Sequence, residues 1–222
     1  AGLRYRIDAQ AKFVQAGLER FDPLGPMRQA APLLPPLNAS GEGLFLLQFN
    51  APSRKEWVAE LDQMGLQVLQ YYPSNAYLLW GKVDAANAAK ELSQVRYVGA
   101  FESRFKAQVG TPATAGTRAQ LQVFFYNDGA PQAVSSALVA LGAQTLELNP
   151  AQPDRRFFTA TAQFDAGQLA AVYALPQVVA VTRVFDAQTE DEGANQVLAR
   201  NVLEGVPQPG FQAYLGSVGL SG

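Results

Sequence analysis

The sequence predicts an α+β fold of two tandem βαββαβ units, each a four-stranded antiparallel sheet with two helices on one face. Three observations carry this reading. The passage "LDQMGLQVLQ" (Leu61 to Gln70) is spelled again as "LVALGAQTLE" (Leu138 to Glu147), 77 positions later, and self-similarity at a fixed offset marks a repeated structural unit. Around each copy, apolar runs, helical periodicity and turn signals follow one order: strand, helix, strand, strand, helix, strand. Finally, 222 residues that are 48% hydrophobic and 16% charged suffice for two small domains with cores of their own.

The first 43 residues read as an arm or linker. "AQAKFVQAGLERF" (9–21) has the makeup of a short helix, and "DPLGPMRQAAPLLPPLNASGEG" (22–43) is proline-rich. Each proline deletes an amide donor and biases its predecessor away from helix, so this second part should be extended and loosely held. The first unit, residues 44–107, opens with "LFLLQF" (Leu44 to Phe49), an apolar run that fits a buried strand. "SRKEWVAELDQMG" follows as a helix, with Ser53 as N-cap, Glu56 three residues on as in a capping box, and Trp57, Val58, Leu61 and Met64 near one face. Gly65 stands where a left-handed helix cap belongs. "LQVLQYY" and "AYLLWGKV" flank the turn signal "PSN" and read as a hairpin; "DAANAAKELSQ" is a second helix capped by Asp84, and "VRYVGAF" the last strand.

Residues 108–118, around "GTPATAGT", have the small, polar makeup of a linker. The second unit, residues 119–189, repeats the order. "QLQVFFY" alternates, with Leu121, Val123 and Phe125 on one face and Gln120, Gln122 and Phe124 on the other. "APQAVSSALVALG" is its first helix, closed by Gly142 as Gly65 closes the earlier one. "AQTLEL" and "RRFFTATAQF" form a hairpin around "NPAQPD", "DAGQLAAVYALPQ" is a helix capped by Asp165, and "VVAVTRVF" ends the unit. Residues 190–222 are a tail. Both units thus read as ferredoxin-like, an arrangement that leaves one sheet face open. At about 65 to 70 residues each, a partner covering that face would be a natural source of stability.

Composition narrows the chemistry. The chain has no histidine and no cysteine, which removes the usual general base, thiol nucleophiles and the nitrogen and sulfur metal ligands. No catalytic residue, cofactor or metal site is expected, and the chain does not read as an enzyme. Net charge is −2 without a basic run, so nucleic acid is not an expected partner. No apolar run approaches the ~20 residues that cross a bilayer, so a membrane is not one either.

Individual motifs reduce to structure. Gly65 and Gly142 are helix terminators rather than parts of a phosphate loop, and "GEG" at Gly41 is too short for a nucleotide fingerprint. "EDE" (Glu190 to Glu192) lacks the alternating oxygens of a calcium loop and reads as a solvated acidic segment, with ion binding or contact with a basic surface as alternatives. Asp84 and Asp165 stand at helix starts, where capping outweighs paired-carboxylate catalysis. "NAS" at Asn38 matches a glycosylation sequon by chance. Tyr71, Tyr72, Tyr77 and Trp80 cluster on one hairpin, and strand alternation points half of them away from the helices.

"LDQMGLQVLQYYPSNAYLLW", followed by "LSQVRYVGAF", resembles the propeptide region of bacterial subtilisin-like serine proteases. There a strand is followed by a helix ending in L-x-x-x-G, a strand, a string such as P-x-N-A-Y, and a last strand with V-x-x-V. Val95 and Val98 supply that last pattern in the first unit, Val178 and Val181 in the second. "QPGFQAYLGSVGLSG" is similar to the stretch just upstream of such a catalytic domain. Where family members often carry an acidic residue after V-x-x-V, this chain has Gly99 and Thr182.

The resemblance implies a secreted or extracellular prodomain, a folding aid and inhibitor whose partner is the cognate catalytic domain, normally covalently C-terminal. In the family the open sheet face packs on protease helices and the segment after the last strand enters the substrate cleft. Here that segment is Phe185, Asp186, Ala187, Gln188, Thr189 and Glu190, with the maturation cut between Asp186 and Val206. The possible docking face comprises Tyr71, Tyr77 and Trp80 of the first unit or Thr159 and Thr161 of the second. Apolar content favours the first and chain proximity the second, and we weight proximity more. A permanent accessory protein-binding module of the protease is the alternative role, and a ligand-binding regulatory pair is a third.

Overall fold

The computed structural model describes residues 12–25, 35–112, 114–148 and 156–184, and in the last segment 202–203, 206–207, 215–217 and 219. The arm forms a β-hairpin where the sequence suggests a short helix: β1 (Val14–Ala16) pairs antiparallel with β2 (Glu19–Phe21). Val14 and Ala16 are fully buried while Gln15 between them is exposed. That is a period of two, which a strand satisfies and a helix does not. So short a helical pattern does not hold without tertiary contacts, and the contacts here select the strand.

Module one comprises β3 (Glu42–Phe49), α1 (Lys55–Gln63), β4 (Gln67–Tyr72), β5 (Ala76–Lys82), α2 (Val83–Ala89) and β6 (Val95–Ala100). Its sheet order is β4-β5-β3-β6, antiparallel throughout. After a 3-10 turn at Ser103–Phe105 come the elements of module two: β7 (Arg118–Tyr126), α3 (Pro131–Ala140), β8 (Gln144–Leu148), β9 (Phe157–Asp165), a 3-10 turn (Ala166–Gln168) running into α4 (Leu169–Tyr173), and β10 (Val178–Arg183). Its order is β10-β7-β9-β8, again antiparallel. In both sheets the fourth strand of the module neighbours the first, and the third lies between first and second. The fold is α+β.

The helix ends follow the sequence in part. Gly65 and Gly142 adopt left-handed backbone (φ 79° and 91°) directly after α1 and α3. Asp165 caps its turn with a complete capping box: its carboxylate accepts from Gly167 N–H, and the Gln168 side chain accepts from the Asp165 amide. Ser53 and Asp84 do not cap. The N-cap positions are Arg54 and Lys82, without side-chain bonds, because the Ser53 hydroxyl is taken up by the Tyr77 hydroxyl and Asp84 falls inside the first turn.

Each module has its own helix-side core. Phe45, Leu47, Phe49 and Leu79 meet Leu61, Ala86 and Ala89 in module one. Leu121, Val123, Phe125, Ala160 and Phe164 meet Val134, Leu138, Leu169 and Val172 in module two. A third core lies on the opposite face of module one's sheet. There Leu44, Leu46, Ala76, Leu78 and Trp80 are covered by Val14, Ala16 and Phe21 of the arm, by Phe101 and Phe105, and by Tyr126 and Val179 of module two. Each large side chain buried this way contributes roughly 1.5–3 kcal/mol. Residues 1–184 form one compact unit and residues 185–222 a second. In the latter, β11 (Val202–Leu203) pairs antiparallel with β12 (Val206–Pro207).

Candidate functional site

The sheet of module two presents a face away from its helices, and alternation along two strands builds it. On β7 the outward residues are Gln120, Gln122, Phe124 and Tyr126; on β9 they are Phe157, Thr159, Thr161 and Gln163. Register places Phe124 beside Thr159, Gln122 beside Thr161, Gln120 beside Gln163, and Thr182 of β10 beside Gln122.

The two ends of this face differ. At one end Phe124 and Phe157 stack at 4.8 Å, and Tyr126 packs its ring 5.0 Å from Trp80 of module one. Burial raises the Tyr126 hydroxyl pKa, Asp128 and Glu42 add to that, and Arg156 opposes it; the hydroxyl bonds to Gln67. The other end is a strip of amides and hydroxyls, Gln120, Gln122, Thr159, Thr161, Gln163 and Thr182, all half-buried or exposed, bordered by Glu147 beside Thr161 and by Arg118 beside Asp165. The amide of Val184 donates to Gln120 O at 2.9 Å, so the chain leaves β10 beside this strip.

The expected docking residues do not share a surface. Thr159 and Thr161 are neighbours on the polar strip. Trp80 is 5% exposed, inside the junction between the modules. Tyr71 and Tyr77 lie on the helix side of sheet one, edge to face at 5.3 Å. Tyr77 packs on Phe49, and Tyr71 is 54% exposed. Phe185 to Glu190 and the "EDE" segment fall outside the described residues. The amide of Asn38 in the "NAS" string is engaged: it donates to Glu42 and Asp128, and its oxygen accepts from the Ser40 and Glu42 amides.

Several contributors escape sequence reasoning. Asp22 pairs with Arg96 at 2.6 Å, and Arg96 also bonds to the buried Gln48. Burial pushes the Asp22 carboxyl up, but the Arg96 bond, the Leu24 amide and the charges of Arg96 and Lys12 outweigh it and leave the pKa lowered. Lys106 is wholly buried and donates to the Tyr173 and Leu175 carbonyls. Nothing in the local sequence announces these pairs, since each joins segments far apart in the chain. A cleft of about 410 Å3 opens between arm and modules, lined by Gln15, Gln70, Tyr72, Gln108, Phe124 and Val179 among others. Burial pushes the Tyr72 hydroxyl there up to about 12.

Among the described residues, no group of three or more acidic side chains could hold a metal ion, and no helix is long and apolar enough to cross a membrane. Residues 14–102 match the model of a family described as a domain of unknown function, DUF8729. The match is less than half of the chain; it starts at the arm hairpin and ends just past β6. No curated protein matches the chain.

Proposed function

We propose that this chain is the prodomain of a subtilisin-like serine protease, built of two tandem ferredoxin-like units, and that it docks through the polar strip of module two. The strand order of both sheets agrees with the arrangement that the sequence resemblance implies. The observation that carries the choice of module is the fate of the open faces. Module one's is filled from within the chain, with Trp80, Leu44 and Leu46 buried. Module two keeps Gln122, Thr159, Thr161 and Thr182 accessible beside the exit of the chain at Val184. A segment following Val184 then runs into the substrate cleft as a product-like strand while the strip packs on the catalytic domain. Secretion as part of the precursor belongs to this reading.

The test is to titrate the subtilisin-like catalytic domain encoded in the same precursor with this chain, and with a version ending at Val184, while following refolding of the denatured catalytic domain in parallel. Tight, substrate-competitive inhibition that collapses on truncation supports the reading. Equal inhibition by both versions overturns the cleft strand, and absence of both inhibition and assisted refolding overturns the role. Area alone does not set the affinity, so the truncation contrast is the decisive quantity.

One observation favours a second reading, a permanent accessory module of the protease. The modules share a buried core rather than standing apart as a spare and a working copy. Mature enzyme recovered with residues 44–189 still attached would establish it.

A further inference from the structure

We propose that the segment ending at Gln108 is a ligand of module two in its own right, so that the chain can be cut after Gln108 without the halves coming apart. This does not rest on the prodomain reading. The partner it fits is a βαββαβ module offering the outer edge of β10 and the Tyr126–Val179 patch.

Three kinds of contact carry the inference. The first is strand addition. Val181 N–H donates to Lys106 O at 2.7 Å and Gln108 N–H to Val181 O at 3.0 Å, with Ala107 bridged in parallel to Val181, so module one's last residues extend module two's sheet. The second is a buried anchor: the Lys106 side chain bonds the carbonyls of Tyr173, the last residue of α4, and of Leu175 just past it, at 2.7 and 3.0 Å. The third is the apolar junction, where Trp80 meets Tyr126 and Phe101 and Phe105 share a core with Val179. Polar contacts ring it, with Arg156 donating to Val68 O at 2.9 Å and Asn38 to Asp128 at 3.3 Å. Strand edge, buried anchor and apolar core with a polar rim are the parts of a stable interface between separate chains.

The connection itself is held at both ends by module two. Gln108 is fixed on Val181, while Gly116 N–H bonds Asp165 Oδ1 at 3.1 Å and Ala166 N–H bonds Thr117 O at 3.0 Å. Its tip is solvated, with Val109 69% exposed. Covalent continuity there raises the effective concentration of one half for the other and supplies none of these contacts.

The experiment inserts the recognition sequence of a specific protease between Val109 and Gly110 of the full chain, purifies the protein intact and cuts it. The expected result is a two-chain complex that elutes at the volume of the intact protein and persists through dilution to low-micromolar concentration in native mass spectrometry. Separation of the halves at that concentration overturns the proposal. A second insertion protein carrying Val179→Asp is expected to separate on cutting while its uncut far-ultraviolet spectrum is unchanged. Should that variant fail to fold, the dilution series on the unsubstituted cut chain still decides.

Discussion

The Nζ of Lys106 lies 2.7 Å from the backbone carbonyl oxygen of Tyr173, inside a site with no solvent exposure. A neutral amine has two hydrogens, and this site offers two carbonyls, those of Tyr173 and Leu175. Burial accordingly pulls Lys106 down to about 7. An unfolded lysine keeps its proton to about 10.4, so between these values the unfolded chain binds a proton that the folded chain does not. Stability should therefore rise with pH across that window and be lowest below about 7, where the buried ammonium's desolvation is felt in full. Urea denaturation of the wild type and Lys106→Met at pH 6, 8 and 10 checks this. The wild type should gain on the variant by roughly 4 kcal/mol between the extremes, and a pH-independent difference would contradict it.

Arg96 ties the arm to sheet one through Asp22 and Gln48. Replacing it with alanine removes a bond to each and should cost about 1–3 kcal/mol. Asp22 has a lowered pKa, so its contribution is present above the unfolded carboxylate value near 3.9 and lost as pH falls through the lower folded value. Arg96→Ala should flatten that acid limb. Thermal unfolding between pH 2 and 5 measures it, and an unchanged limb would show that the pair is not responsible.

Trp80→Ala and Tyr71→Ala separate a residue that holds the modules together from one on the surface. Trp80 packs on Tyr126 within the shared core, so truncation should cost about 3–5 kcal/mol. Tyr71, more than half exposed with one edge contact to Tyr77, should cost no more than about 1 kcal/mol. Equal costs in denaturant titrations would mean that the junction is not a stabilising core.

The strip itself is probed by Thr161→Arg. The side chain is half-buried on the outward face, opposite Gln122, so the fold should tolerate it within about 1 kcal/mol. If the strip docks, inhibition of the catalytic domain should weaken at least about tenfold, on the order of 1.4 kcal/mol, whereas Tyr71→Arg should leave inhibition unchanged. The reverse pattern would move docking to module one.

The sequence already held a sign of the covered face. "EGLFLLQF" runs without alternation and every residue from Gly43 to Phe49 is buried, as in a strand packed on both sides. β7 alternates, and its outward residues from Gln120 to Phe124 are exposed or half-buried while Leu121, Val123 and Phe125 are buried. The element order within each module, the hairpin at Ser74 and Asn75 and the two helix-ending glycines were legible because they rest on local backbone preferences. What covers β3 was not legible: it depends on the arm choosing a hairpin and on Tyr126 and Val179 arriving from beyond residue 120, contacts with no local signature. For the same reason Thr159 and Thr161 could be named as outward-facing, but not Trp80 as enclosed.

The repeated glycines, equivalent in sequence, should differ in cost. Gly65 has φ 79° and a methyl group there would meet nothing within 4 Å, so Gly65→Ala carries only the left-handed backbone penalty, about 1–2 kcal/mol. Gly142 has φ 91°, and a methyl group would come within 2.1 Å of Gln168 Nε2. That amide is not free to swing away, because its Oε1 accepts from the Asp165 amide in the capping box before α4. Gly142→Ala must therefore strain the backbone and also displace Gln168, adding about 1 kcal/mol for the cap. Denaturant titration of both variants, with Gln168→Ala in each background, checks the argument. Gln168→Ala should be less costly in the Gly142→Ala background than in the wild type, and it should not couple to Gly65→Ala. Strict additivity at both glycines would show that the cap and the helix end are independent.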